Sequence, residues 1–107
     1  MNLSDAESTS IHEALGYWVE NWDWECPTLF GLDRSELEEV VRTWPASLEG
    51  HPEIAEVAVI GSLRELLWGA SSLPPDRVER LLGMGHRQAE SLLKRLIGSR
   101  HEKQRNA

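Results

Sequence analysis

The sequence of 107 residues has one cysteine, Cys26, and no long apolar run. A single cysteine excludes an intrachain disulfide bond and favours a reducing compartment. The longest uninterrupted apolar run extends only from Val57 to Ile60, and no basic-plus-apolar leader opens the chain. The sequence therefore predicts neither a signal peptide nor a membrane-spanning helix, and it favours a cytoplasmic location.

The sequence also lacks the spacings that metal, phosphate and nucleophile sites require. Its four histidines are scattered with no HxxxH pair: His12, His51, His86 and His101. The GMG stretch at 83–85 does not match a phosphate-binding loop. Cys26 follows Glu25, whose carboxylate would raise the pKa of the thiol and disfavour a nucleophile. Asp23 and Glu25 could pair as acid and base, but acidic residues are common here. We therefore expect no catalytic residue, no metal, no cofactor and no enzyme activity.

Basic residues are scarce in the first 75 positions. Residues 1–75 carry 14 acidic and 3 basic side chains, a balance of −11, whereas residues 76–107 carry 4 and 8, a balance of +4. An acidic body favours a protein partner with a basic surface, and the basic end could hold an anion or nucleic acid. Ordinary solubilising charge would explain the same distribution.

Apolar residues recur every three or four positions along most of the chain, which is the period of an amphipathic helix. A capping box of Ser10 and Glu13 predicts the start of the first helix, and Asp33 with Glu36 predicts the start of the second. Pro52 fits the first turn of a third helix, which is apolar over more than half its circumference and therefore central. The β-branched residues of AEVAVIG would also allow a strand in that third segment.

Glycines delimit the remaining elements. The fourth helix is predicted to end at Gly83, and the fifth at Gly98. Gly61, inside the third helix, costs roughly 1 kcal/mol relative to alanine, which a close helix crossing would explain. The sequence thus predicts a small all-α bundle of about five helices. Its division is a flexible N-terminus at 1–9, a helical domain at 10–98 and a disordered basic tail at 99–107.

One aromatic stretch, from Tyr17 to Leu32, holds three of the five tryptophans and the only phenylalanine, tyrosine and cysteine. Pro27 cannot continue the first helix, which predicts a loop from Asp23 to Gly31. Trp24 and Phe30 in this loop are the candidates for partial exposure, and aromatic side chains are favoured interface anchors because they bury much area at little entropic cost. The predicted partner-binding residues are Asp23, Trp24, Glu25, Phe30, Glu36 and Glu39.

Size and charge suggest a class of partner. Small acidic helical proteins include immunity and antitoxin-type inhibitors, which cover the nucleic-acid-binding cleft of a basic toxin. By that analogy the chain is a protein–protein interaction module that neutralises a toxin-like partner. An alternative is a helical accessory domain that associates with a second copy of itself.

Residues 74–97, PPDRVERLLGMGHRQAESLLKRLI, resemble a bacterial helix-turn-helix, with a turn at Gly83 and Ala89 six residues later. The resemblance implies a DNA-binding regulator whose second helix lies in the major groove. His86, Arg87, Gln88 and Ser91 would then face bases, and Lys94, Arg95 and Arg100 would contact phosphates. The alternative is an αα-hairpin that only closes the bundle.

Overall fold

This computed structural model describes residues 1–105, with side chains through residue 102. The described residues form seven α-helices. In chain order they are α1 (Asp5–Glu20), α2 (Cys26–Phe30), α3 (Arg34–Thr43), α4 (Ser47–Gly50), α5 (Pro52–Leu67), α6 (Pro75–Leu82) and α7 (His86–Arg105). No strand occurs among the described residues, so the all-α prediction is confirmed. Two short helices, α2 and α4, account for the difference from the predicted five.

Helix α1 begins earlier than predicted. Ser4 and Glu7 form its capping box: the Ser4 hydroxyl accepts from the Glu7 amide at 3.1 Å, and the Glu7 carboxylate accepts from the Ser4 amide at 2.9 Å. The capping box predicted at Ser10 is wrong, because Ser10 is buried within α1 and donates its hydroxyl to the carbonyl of Leu82. Residues 5–9, predicted to be flexible, are therefore helical, with acidic side chains at the positive end of the helix.

The predicted loop from Asp23 to Gly31 is only half correct. Cys26 to Phe30 form a helix, α2, because a proline is tolerated in the first helical turn, where its missing N–H would be unpaired in any case. Gly31 ends this helix with a φ of 74°, a left-handed conformation that glycine adopts without strain.

Helix α5 lies at the centre of the fold, in contact with α1, α2, α3, α4 and α7. Pro52 begins it, as predicted, and the alternative of a strand in this segment is wrong. The Asp33–Glu36 capping box is confirmed at the start of α3, with amide-to-carboxylate distances of 2.9 and 3.0 Å. Local signals therefore located two of the helices packed at the core.

Helix α6 ends at Gly83 as predicted, with a φ of 71°. Helix α7 does not end at Gly98 but continues to Arg105, where a disordered tail was predicted. Arg100 gives a physical reason, since its guanidinium lies 3.8 Å from the carboxylate of Glu53 and 3.9 Å from that of Glu56 on α5. The rest of the predicted tail, residues 106–107, lies outside the described residues.

An aromatic cluster joins α1, α2 and α5. The ring of Phe30 stacks on Trp22 at a centroid distance of 5.7 Å and meets Trp18 edge-on at 5.5 Å. A Cβ atom at Gly61 would lie 2.6 Å from the Phe30 ring, so only glycine admits the ring at this place. The close approach expected at Gly61 is thus made by an aromatic ring rather than by a helix crossing.

Substituting Gly61 tests this packing. Gly61→Ala should lower the free energy of unfolding by about 1–3 kcal/mol, because Phe30 is confined between two tryptophan rings and cannot move aside. Gly16→Ala is the matched control, since a Cβ there meets nothing within 4 Å. That control should be neutral or stabilising by about 0.4–1 kcal/mol. Urea unfolding curves measure both, and equal stability of the two variants would contradict the packing argument.

Candidate partner-binding surface

The turn between α1 and α2 exposes Trp24, whose side chain is 85% accessible to solvent. Asp23 and Glu25 flank it, and both are exposed. Among the described residues no cationic side chain forms an ion pair with either carboxylate. Leu29, one helical turn further along, is 40% exposed. These four residues, Asp23, Trp24, Glu25 and Leu29, are called the Trp24 patch below.

The Trp24 patch rests on a fixed base. Helix α2 turns Cys26 and Phe30 inward, where both are buried, and leaves Leu29 outside. The guanidinium of Arg64 on α5 donates to the carbonyl of Leu29 at 2.7 Å, which ties α2 to the central helix. An interface residue held in this way loses little conformational freedom when it binds.

The turn itself is held by Asp23. Its carboxylate accepts from the Glu25 amide at 2.9 Å and from the Cys26 thiol at 3.5 Å. Burial raises the pKa of the Cys26 thiol, with smaller contributions from the neighbouring Asp23 and Glu25 carboxylates. Cys26 therefore remains a neutral thiol near neutral pH, which fits a packing role.

Phe30 was predicted to be an exposed anchor, and this prediction is wrong. Its side chain is 3% exposed and belongs to the core. The physical reason is the space that Gly61 leaves on α5, 31 positions further along the chain. No local pattern around Phe30 shows that space. Leu29, rather than Phe30, is exposed next to Trp24. Its only sequence signal is that it is an apolar residue in a segment rich in acidic and aromatic residues.

Glu36 and Glu39 lie on α3 and line a separate groove that no residue of the Trp24 patch enters. Glu36 also serves in the α3 capping box. Glu39 pairs with the guanidinium of Arg42, and that hydrogen bond holds the pKa of Glu39 below its ordinary value. The six predicted partner-binding residues thus divide into the Trp24 patch, this groove and the buried Phe30.

The predicted DNA-contacting residues of α7 also divide into two groups. Four are exposed at helical spacing: Arg87, Gln88, Ser91 and Lys94. The other three have partners within the chain. His86 lies 3.2 Å from Glu90, and Arg95 donates to Glu7 at 2.9 Å and to the Asn2 carbonyl at 3.3 Å. Arg100 pairs with α5 as described above.

Glu90 is also part of that network. It accepts from the indole of Trp68 at 2.9 Å, and this bond holds the pKa of Glu90 below its ordinary value. Trp68 is 44% exposed and lies at the end of α5. Glu90 is therefore a charged, hydrogen-bonded acid on α7, next in sequence to the residues predicted to face DNA.

Within residues 1–105, no helix is both long enough and apolar enough to cross a membrane. Over the same residues, no group of three or more histidine, cysteine or acidic side chains is placed to hold a metal ion. No protein-family model, curated protein or solved structure matches the chain. The surface of the chain is therefore the basis of the proposed function.

The ion pair between Glu7 and Arg95 predicts a pH-dependent contribution to stability. The hydrogen bond from Arg95 is the main reason that the pKa of Glu7 is lowered in the folded chain. A lowered folded-state pKa stabilises the fold above the ordinary pKa of glutamate, and that stabilisation is lost as the pH falls through the folded value. Because both side chains are partly exposed, the pair contributes at most about 1 kcal/mol.

Glu7→Gln isolates this pair, because glutamine can still serve in the capping box while it loses the charge. Urea unfolding at pH 7 should show a loss of about 0.2–1 kcal/mol relative to the unsubstituted chain, and unfolding at pH 3 should show a smaller difference. Glu13→Gln is the control and should change stability little at either pH, because Glu13 lies on the same helix and forms no ion pair among residues 1–102. An undiminished loss at pH 3 would exclude the ion pair as the cause.

Proposed function

We propose that the chain is a protein–protein interaction module that binds a basic partner through the Trp24 patch. The observation that supports this most directly is the indole of Trp24, which is 85% exposed and lies between two carboxylates that form no ion pair within the described residues. A tryptophan on a fixed turn is a favoured binding anchor because it buries a large area at little entropic cost.

The distribution of basic residues supports a basic partner. Each of the three in residues 1–75 pairs with an acid of its own chain: Arg34 with Glu38, Arg42 with Glu39, and Arg64 with Glu65. Two of them also donate to carbonyl groups, those of Val19 and Leu29. The acidic side chains that these arginines do not pair with include Asp23 and Glu25. Their negative potential attracts a basic surface and would increase the rate of association.

Within this function, we place the chain in the class of cytoplasmic inhibitors of the immunity or antitoxin type. Such a protein needs no catalytic group, only a surface that competes with a nucleic acid for a basic cleft. Carboxylates around an aromatic anchor have the charge of a phosphate backbone and the flat apolar surface of a base. The Trp24 patch combines both features.

Affinity capture from the native cell tests this proposal. A Trp24→Ala bait should lose a basic partner that the unsubstituted bait retains, with an affinity loss of about 2 kcal/mol or more, which is roughly 30-fold, in calorimetry on the purified pair. Trp68→Ala is the matched control, because it removes the other exposed tryptophan and should retain the partner.

Each other result of the capture has a clear meaning. A partner held equally by the Trp24→Ala bait would exclude the Trp24 patch. Recovery of only a second copy of the same chain, confirmed by light scattering over a concentration series, would favour the self-associating domain instead. For the inhibitor class, co-expression should relieve the toxicity of the captured partner, and the Trp24→Ala variant should fail to do so.

A second candidate function is DNA binding by α6 and α7. It is favoured by the exposed row of Arg87, Gln88, Ser91 and Lys94, which lie on one side of α7. It is opposed by the acidic body and by the internal pairing of Arg95 and Arg100. Together with the contact between His86 and Glu90, this leaves four of the seven predicted DNA contacts: three residues predicted to face bases and one, Lys94, predicted to contact a phosphate.

Salt-titrated DNA binding tests this second candidate. If α7 contacts DNA, Arg87→Ala combined with Lys94→Ala should weaken binding, and loss of the phosphate contact of Lys94 should make the dependence of log K on log salt shallower by about 1. Arg42→Ala on α3 is the control for loss of positive charge and should leave binding unchanged. Binding that is absent at low salt, or insensitive to the double substitution, would exclude a DNA-binding role.

A further inference from the structure

A groove between α3, α4 and α5 has an arrangement that the Trp24 patch lacks. It encloses about 280 Å³. Ile54 and the nearly buried Val40 line it with apolar atoms, and the side chains of Glu36, Glu39 and His51 also line it. On α3 the spacing of three and four residues places Glu36, Glu39 and Val40 on one side of the helix.

The two carboxylates differ in what they can still bind. Both oxygens of Glu39 accept hydrogen bonds from Arg42, whose side chain is exposed. Glu36 uses one oxygen, Oε1, to accept from the Asp33 amide at 3.0 Å, and no hydrogen bond to its Oε2 is recorded within the described residues. A negatively charged acceptor is therefore available at the groove, next to apolar surface.

We propose that this groove receives a long cationic side chain, an arginine or a lysine, from the basic partner. The apolar stem of that side chain would pack on Val40 and Ile54, and its charged group would bind Glu36. The proposal rests on the proposed function, because it describes the chemistry of the same partner, but it concerns a different surface of the chain.

Size and charge favour this occupant over others. A volume near 280 Å³ lies at the lower limit of the roughly 300–1,000 Å³ that is typical of small-molecule sites, and it accommodates a single side chain. A second copy of the chain is disfavoured by its own net charge of −7.

An NMR titration tests the groove directly. The probe is the peptide acetyl-Gly-Arg-Gly-amide, and the reference probe is the same peptide with citrulline, which has nearly the same shape without the charge. The arginine peptide should shift the amide signals of Val40, Thr43 and Ile54 in a salt-dependent manner, and the citrulline peptide should shift them less. The lysine peptide is a parallel probe that distinguishes the two possible cations.

Glu36→Gln is the decisive variant, because glutamine maintains the capping box of α3 and removes only the charge. It should weaken binding of the arginine peptide by about two- to fivefold. Glu79→Gln on α6 is the control for net charge and should leave the affinity unchanged, because Glu79 is exposed, lies outside the groove and forms no ion pair with any side chain that the structure describes. Circular dichroism confirms that both variants remain folded.

Three results would overturn the proposal: no shifts from the arginine or lysine peptide, equal shifts from the citrulline peptide, or equal affinity for Glu36→Gln. The Trp24→Ala chain should give the same titration as the unsubstituted chain, which separates this surface from the Trp24 patch. If the titration succeeds and the affinity capture fails, the groove is still a cation site, but the proposed basic partner is excluded. The opposite pair of results would remove the groove only.

Discussion

The contact between the ring of Phe30 and the backbone at Gly61 is the constraint on which the rest of the structure depends. It brings α2 against the central helix α5, where a Cβ atom would lie 2.6 Å from the ring. Trp18 and Trp22 then cover the ring from α1 and from the turn that follows it. With Phe30 and Cys26 directed inward, the remaining side chains of this segment are directed to solvent. The exposure of Trp24 is thus a result of core packing and not of a loose loop.

Charge is distributed differently in space than along the chain. The sequence has an acidic body and a basic end, yet Arg95 and Arg100 attach that end to acids of α1 and α5. In these pairs the basic side chains of Arg95 and Arg100 hold α7 in place. Fewer basic side chains of this end are therefore available to a partner. Acid predominates on the body after this pairing, because each of its three arginines also has an acidic partner. For this reason the partner that we propose is a basic protein rather than a nucleic acid.

Features set by neighbouring residues could be predicted from the sequence, and features set by distant residues could not. The Asp33–Glu36 box, Pro52 and Gly83 act within one helical turn, and each was located correctly. Two serine–glutamate pairs compete in α1, and the choice of Ser4 over Ser10 depends on Leu82, whose carbonyl accepts from Ser10. The burial of Phe30 likewise depends on Gly61. The exposure expected for Trp24 is found, whereas the separation of Glu36 and Glu39 from it required the three-dimensional arrangement of α3, α4 and α5.

The hydrogen bonds of Arg95 have a consequence for the rate of folding. They join α7 to the carbonyl of Asn2 and the carboxylate of Glu7, across 93 and 88 positions of sequence. Helical bundles usually fold fast because most of their contacts are local. Here a contact between distant segments requires most of the chain to close into a loop, and the entropy of closure is lost before the contact can form. We therefore expect the helices to form first and the attachment of α7 to α1 to be a late event, after which the two segments would open and close together.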